Sequence, residues 1–150
     1  MMPVRIIDAV VCAISSTIRR GAWLALFAAV WSVTAQAQIS GAVTSDTTWT
    51  FASSPVNVSG DVVVLAGRTL AIEPGVRVRF AAGTGLTIEG KLVAQGTVSD
   101  TIVFTSAQAL PARGDWDGLE FVNSANVGSV VHYARVEWVG SGAGQAGIFY

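Results

Sequence analysis

The chain of 150 residues is 51% hydrophobic and 13% charged, enough apolar material for one domain core and too few charges for a disordered tail. Nine Lys and Arg against ten Asp and Glu leave a net charge of −1 with no run of like charges, which excludes a basic nucleic-acid binder. The apolar excess divides into one N-terminal stretch and many short Val, Leu and Ile runs punctuated by Gly, so only the first has bilayer-like character.

In chain order, Arg19 and Arg20 precede an apolar run from Ala22 to Val33, followed by Ala35, Gln36 and Ala37. A basic lead, a short apolar segment and a small-x-small end predict a secretory signal helix over residues 1–37, cut after Ala37. Twelve residues make a helix of about 18 Å, short of a hydrocarbon core of ~30 Å, so no permanent membrane span is expected in the mature chain. The exported part, residues 38–150, carries six basic and nine acidic groups and no cysteine, because Cys12 lies in the leader. No disulfide or thiol chemistry is therefore expected, although the destination is extracellular or the cell surface.

From Ser45 onward, runs of four to six residues alternate apolar and polar and close on Gly, Asn, Ser or Asp, the texture of strands and turns. Val76, Val78 and Phe80 alternate with Arg77 and Arg79, which places three apolar side chains on one face and two guanidinium groups on the other. The same alternation runs through Leu70 and Ile72, Leu86 and Ile88, Ile102 and Phe104, and Leu119 and Phe121. LAIEPG at Leu70–Gly75 recurs as LTIEG at Leu86–Gly90, and Asp117-Gly118 is the only tight hairpin dipeptide. Gly-bounded strands recurring every ~20 to 25 residues predict a solenoid of about four or five coils stacked in parallel.

The ordered motifs resemble a known family. Trp49, Ser54-Pro55, Val62 to Leu65, LAIEPGVRVRF from Leu70 to Phe80, LTIEGKLVAQG from Leu86 to Gly96, IVFTS from Ile102 to Ser106 and GDWDGL from Gly114 to Leu119 are similar to the N-terminal part of bacterial secreted pectin-lyase-like proteins. The resemblance covers nearly all of residues 38–150 and implies an all-β, right-handed parallel β-helix. It implies no particular chemistry, because such folds carry lyases, hydrolases, epimerases and adhesins. Members of this family run through many more coils, whereas this chain stops at Gly147-Ile148-Phe149-Tyr150. Truncation of a longer protein is expected, with an uncapped last coil open to self-association.

Candidate sites follow from the chemistry of the side chains. Asp115 and Asp117 flank Trp116 at i,i+2, a spacing that can bring two carboxylates together for acid–base work or a cation. The bland alternative, in which both are loop formers and Trp116 is a packing residue, is favoured, since a hard cation wants six or more oxygens. His132, the only histidine, has no cysteine or second histidine to build a zinc site with. Pectate-lyase-type chemistry needs an Arg or Lys base beside acidic Ca²⁺ ligands, and Arg77 and Arg79, with Lys91 on a neighbouring strand, are candidate ligand-binding residues to line such a groove, against the favoured reading that they only solvate the surface. Trp49, between Thr48 and Thr50, is the expected exposed sugar-stacking residue, whereas Trp138 alternates in phase with Val136 and Ala134 and is expected in the core.

The sequence thus predicts an exported structural or binding module, adhesin-like or polysaccharide-binding, with no cofactor and no catalytic constellation in these residues. Its expected partner is an extracellular polysaccharide or a cell-surface glycan. The alternative is the N-terminal fragment of a polysaccharide lyase or hydrolase whose active coils lie beyond residue 150.

Overall fold

The computed structural model describes residues 38–122, 127–140 and 148–149. The predicted signal segment and its cleavage point therefore lie outside the described residues. Twelve strands follow one another: β1 (Gln38–Val43), β2 (Thr47–Trp49), β3 (Val56–Val64), β4 (Thr69–Ile72), β5 (Arg77–Phe80), β6 (Gly85–Ile88), β7 (Lys91–Gln95), β8 (Ile102–Ser106), β9 (Gly118–Phe121), β10 (Val130–His132), β11 (Ala134–Val136) and β12 (Ile148–Phe149). One helical turn, Phe51–Ser53, is the only helix among the described residues, and none there is long and apolar enough to cross a membrane.

Every strand pairing among the described residues is parallel. The first face stacks β2, β4, β7 and β10. The second stacks the start of β3 with β5, β8 and β11, and the third stacks the end of β3 with β6, β9 and β12. Because β3 turns the corner between two faces, both ladders belong to one curled sheet. β1 lies ahead of β3 and pairs with both of its halves. The chain is thus a parallel β-helix, with four successive three-strand coils among the described residues.

The inward columns are close to what alternation predicts. On the first face Trp49 stacks on Ile72, Ala94 and Val131. On the second Val56 stacks on Val78, Phe104 and Val136, and on the third Val43, Val64, Ile88 and Phe121 align. Volume is shared within each coil. The first coil sets Trp49 against Val56 and Val64, whereas the third sets Ala94 against Phe104 and Phe121, so layers of different shape still fill one core. Each fully buried Leu, Ile, Val or Phe removed from water contributes about 1.5–3 kcal/mol.

Corners are closed by side chains that reach one coil ahead. Asp46 just before β2, Ser54 two residues before β3 and Asp61 at the bend within β3 each offer an oxygen to a backbone N–H of the next coil: the Thr69 N–H donates to Asp46 Oδ1 at 2.9 Å and that of Arg77 to Ser54 Oγ at 3.1 Å, both 23 residues apart, and that of Gly85 to Asp61 Oδ1 at 3.1 Å, 24 residues apart. Sequence reading missed this spacing of Asp46, Ser54 and Asp61, although each precedes an apolar alternating run. Replacing Asp46 by Ala should destabilise the fold by about 1 kcal/mol, the usual cost of a lost hydrogen bond. Urea unfolding of D46A against the unaltered chain checks this.

The LAIEPG and LTIEG copies are not successive coils. Leu70–Ile72 lies on the first face, and Leu86–Ile88 on the third. Leu70 stacks on Leu92 and Leu86 on Leu119. The two motifs are alike because each must supply an inward-outward-inward strand ahead of a tight corner. The true period lengthens along the chain, reaching 37 residues between Leu92 and Ser129, where the Ser129 hydroxyl accepts the Leu92 N–H.

Candidate functional site

On the second face the outward columns carry most of the polar side chains. Arg77, Val103 and Arg135 form one column, and Asn57, Arg79 and Thr105 the next. A groove of about 680 Å³ lies over this face, bordered by Arg77, Arg79, Thr105, Gln108, Pro111 and Trp138. Arg77 is exposed, and its guanidinium makes no hydrogen bond or ion pair to a described residue. Arg79 is half-buried and donates from Nη2 to the Ala107 carbonyl at 3.1 Å. Glu137 also borders the groove, with its carboxylate paired to Arg135.

Trp138 is 46% exposed and has φ of 62°, in the left-handed region that a bulky residue rarely adopts. Its neighbours hold the backbone: the Glu137 N–H donates to the Phe104 carbonyl and the Gly140 N–H to that of Trp116. Such strain is retained where surrounding structure over-determines it, often at binding sites. The alternation argument fails at Trp138 because β11 ends at Val136 and the positive φ turns the side chain out of phase. Among the described residues Trp138 is therefore the exposed tryptophan, and the expectation for Trp49 is reversed. Trp49 is 4% exposed and stacks inward over Ile72.

Lys91 does not join the arginines. It leaves the first face from β7 opposite Thr69 and borders a separate hollow with Arg68 and Glu89. Asp115 and Asp117 are likewise separated by the packing of Trp116, whose ring is fully buried and stacks on Phe80 at 4.1 Å and 7°. Asp117 faces a hollow on the third face with Asp61 and Glu120. Among the described residues no three His, Cys, Asp or Glu side chains are arranged to hold a metal ion. His132 lies edge-on to Tyr133 at 4.2 Å.

Asp115 ties the segment after β8 to itself. Its Oδ2 accepts the Ser106 hydroxyl at 2.6 Å and the Ala112 N–H at 2.9 Å, and Ser106 Oγ accepts the Gln108 N–H at 3.0 Å. The Ser106 hydroxyl and then the Ala112 amide hold the Asp115 carboxyl below the usual aspartate range, against an opposing push from burial. A lowered folded-state value stabilises the fold above the unfolded value of about 3.9 and is lost as pH falls through the folded one. The Asp115 carboxylate is therefore ionised at neutral pH.

A three-faced parallel solenoid with a lateral groove defines the class of this molecule. Residues 41–145 match the pectate-lyase-like beta helix domain, and the chain belongs to that family. A 66-residue stretch is 42% identical to Protein bark beetle of Drosophila melanogaster, covering 44% of this chain. The chain spans 2% of that relative's length. No solved structure matches the chain.

Proposed function

We propose that this domain is an exported binding module that holds an acidic extracellular polysaccharide in the groove of its second face. The observation that carries the reading is the half-exposed Trp138, set in a left-handed conformation at the edge of a groove that also contains Arg77 and Arg79. An indole face suits the apolar face of a pyranose ring, and a guanidinium meets a carboxylate with paired hydrogen bonds. Arg77 is the freer donor, since Arg79 already serves the Ala107 carbonyl. The parallel stack supplies a rigid platform for an extended polymer, with successive coils ~4.8 Å apart.

The alternative reading, a fragment of a lyase or hydrolase, needs an acid and a base facing one another over the bound polymer. On the second face the carboxylate of Glu137 is committed to Arg135, which favours the binding reading for these coils.

Titration calorimetry with a linear uronic-acid polymer, and with a neutral glucan as comparison, tests the proposal. Binding of the acidic polymer is expected to weaken about tenfold in Trp138→Ala, equivalent to about 1.4 kcal/mol, and to weaken further with salt because the Arg77 contact is solvent-screened. Equal affinity of W138A and the unaltered chain, or equal affinity for both polymers, would overturn it.

A further inference from the structure

The eleven-residue excursion between β8 and β9 is longer than the corners of the earlier coils, and two of its residues, Gln108 and Pro111, border the groove. Gln108 to Arg113 are all exposed, and Leu110 at 89% exposure packs against little. Such a segment has no apolar core of its own to fix its course. Backbone bonds tie its two ends, from the Ala107 N–H to the Phe80 carbonyl and from the Asp115 N–H to the Ala112 carbonyl, and one carboxylate joins them: the Asp115 oxygen gathers the Ser106 hydroxyl and the Ala112 amide, and the same hydroxyl gathers the Gln108 amide. Arg79 secures the start of the segment through the Ala107 carbonyl, and the buried Trp116 anchors its end on Phe80.

We propose that Asp115 is a positioning residue for the groove, latching segment 107–114 as its side wall so that Gln108 and Pro111 stand beside Arg77, Arg79 and Trp138. The role rests on the reading of the groove as a polysaccharide site. It gives the carboxylate of GDWDG a function that does not require a metal or acid–base chemistry. It also makes an unusual demand on electrostatics. Removing a negative charge bound to Ser106, itself at the groove, would by itself strengthen the binding of a polyanion, whereas loss of the wall weakens it.

Two readouts on the full chain test the latch separately from the ligand. Limited trypsin digestion, followed by mass spectrometry, reads cleavage after the exposed Arg113. In Asp115→Ala this cut is expected to be about tenfold faster, with Asp115→Asn intermediate because its amide oxygen can still accept both hydrogen bonds but without the strengthening charge of the carboxylate. In Asp117→Asn, two residues away and facing another hollow, it is expected to be unchanged. Calorimetry with the uronic-acid polymer should then show severalfold weaker binding to D115A and unaltered binding to D117N.

An unchanged Arg113 cleavage rate in D115A would overturn the latch. Faster cleavage with equal or tighter polymer binding would overturn the positioning role. An unaltered chain that binds no polymer would instead sink the polysaccharide reading and the positioning role with it, with the digestion still deciding whether the latch exists. Should D115A fail to fold, Ser106→Ala removes the hydroxyl that joins Asp115 to Gln108 and carries the same two expectations.

Discussion

Trp116→Ala is expected to cost about 3–5 kcal/mol of stability, the range for truncating a large buried aromatic. The ring is fully buried and lies flat against Phe80, and its Nε1–H donates to the Glu137 carbonyl at 2.7 Å. Truncation therefore opens a cavity, removes an aromatic stack worth about 0.5–1.5 kcal/mol beyond its area, and leaves the Glu137 carbonyl without that donor. Trp116 also bridges to Val139, so the same change should loosen the turn that carries Trp138. Trp116→Phe keeps most of the packing and loses the hydrogen bond. Urea unfolding should place it between the unaltered chain and W116A, and equal stability of all three would show that the ring is not a core element.

Gly90→Ala is expected to be nearly as damaging, about 3 kcal/mol, at the upper end of the usual range for overpacking. A Cβ there would stand 2.3 Å from the Leu65 carbonyl oxygen and 2.4 Å from that of Arg68. Both are backbone atoms of the preceding coil, so no rotamer change relieves the contact. The corner is also held by hydrogen bonds: the Gly90 N–H donates to the Val64 carbonyl and the Lys91 N–H to that of Arg68. The coils must separate locally, at the expense of those bonds, to admit one methyl group. Gly83→Ala serves as the comparison. Its φ is 66°, but a Cβ there meets nothing within 4 Å, so only the left-handed strain of about 1–2 kcal/mol is expected. A thermal melt that ranks G83A below G90A in stability would contradict the close approach of the two coils.

Much of the fold was legible because a parallel β-helix repeats a simple physical requirement. Inward side chains must be apolar at every second position, and Val76, Val78 and Phe80 or Leu86 and Ile88 meet it without interruption. What alternation does not carry is the geometry of the corners. Strict alternation points Trp138 inward, but β11 ends at Val136 and Trp138 itself has a positive φ. The two threonines that flank Trp49 suggest an exposed ring, although polar neighbours are what an inward side chain on an outer strand should have. Alternation puts Lys91 on a strand neighbouring that of Arg77 and Arg79, whereas the corner at Glu89 and Gly90 carries it to another face.

The candidate site was legible in the same partial sense. Arg77 and Arg79 were found by alternation alone, since residues two apart on one strand share a face. The wall that borders them was not, because the excursion after Ser106 has no alternation of its own and is shaped by contacts such as Asp115 reaching back over nine residues to Ser106 and Arg79 holding the Ala107 carbonyl. The motif GDWDG gave a usable signal for the packing of Trp116. It gave none for the separation of its two aspartates, which depends on where the following strand begins.

The most direct test of the groove is the intrinsic fluorescence of the full chain during titration with the uronic-acid polymer. Of the five tryptophans, Trp23 and Trp31 lie outside the described residues, Trp49 and Trp116 are buried and Trp138 stands at the groove edge, so bound polymer should shift the Trp138 part of the emission by covering that ring. The account predicts a saturable blue shift that disappears in W138A. The same shift in W138A, or no shift at polymer concentrations that saturate the calorimetric signal, would place the ligand elsewhere on the molecule and contradict the account.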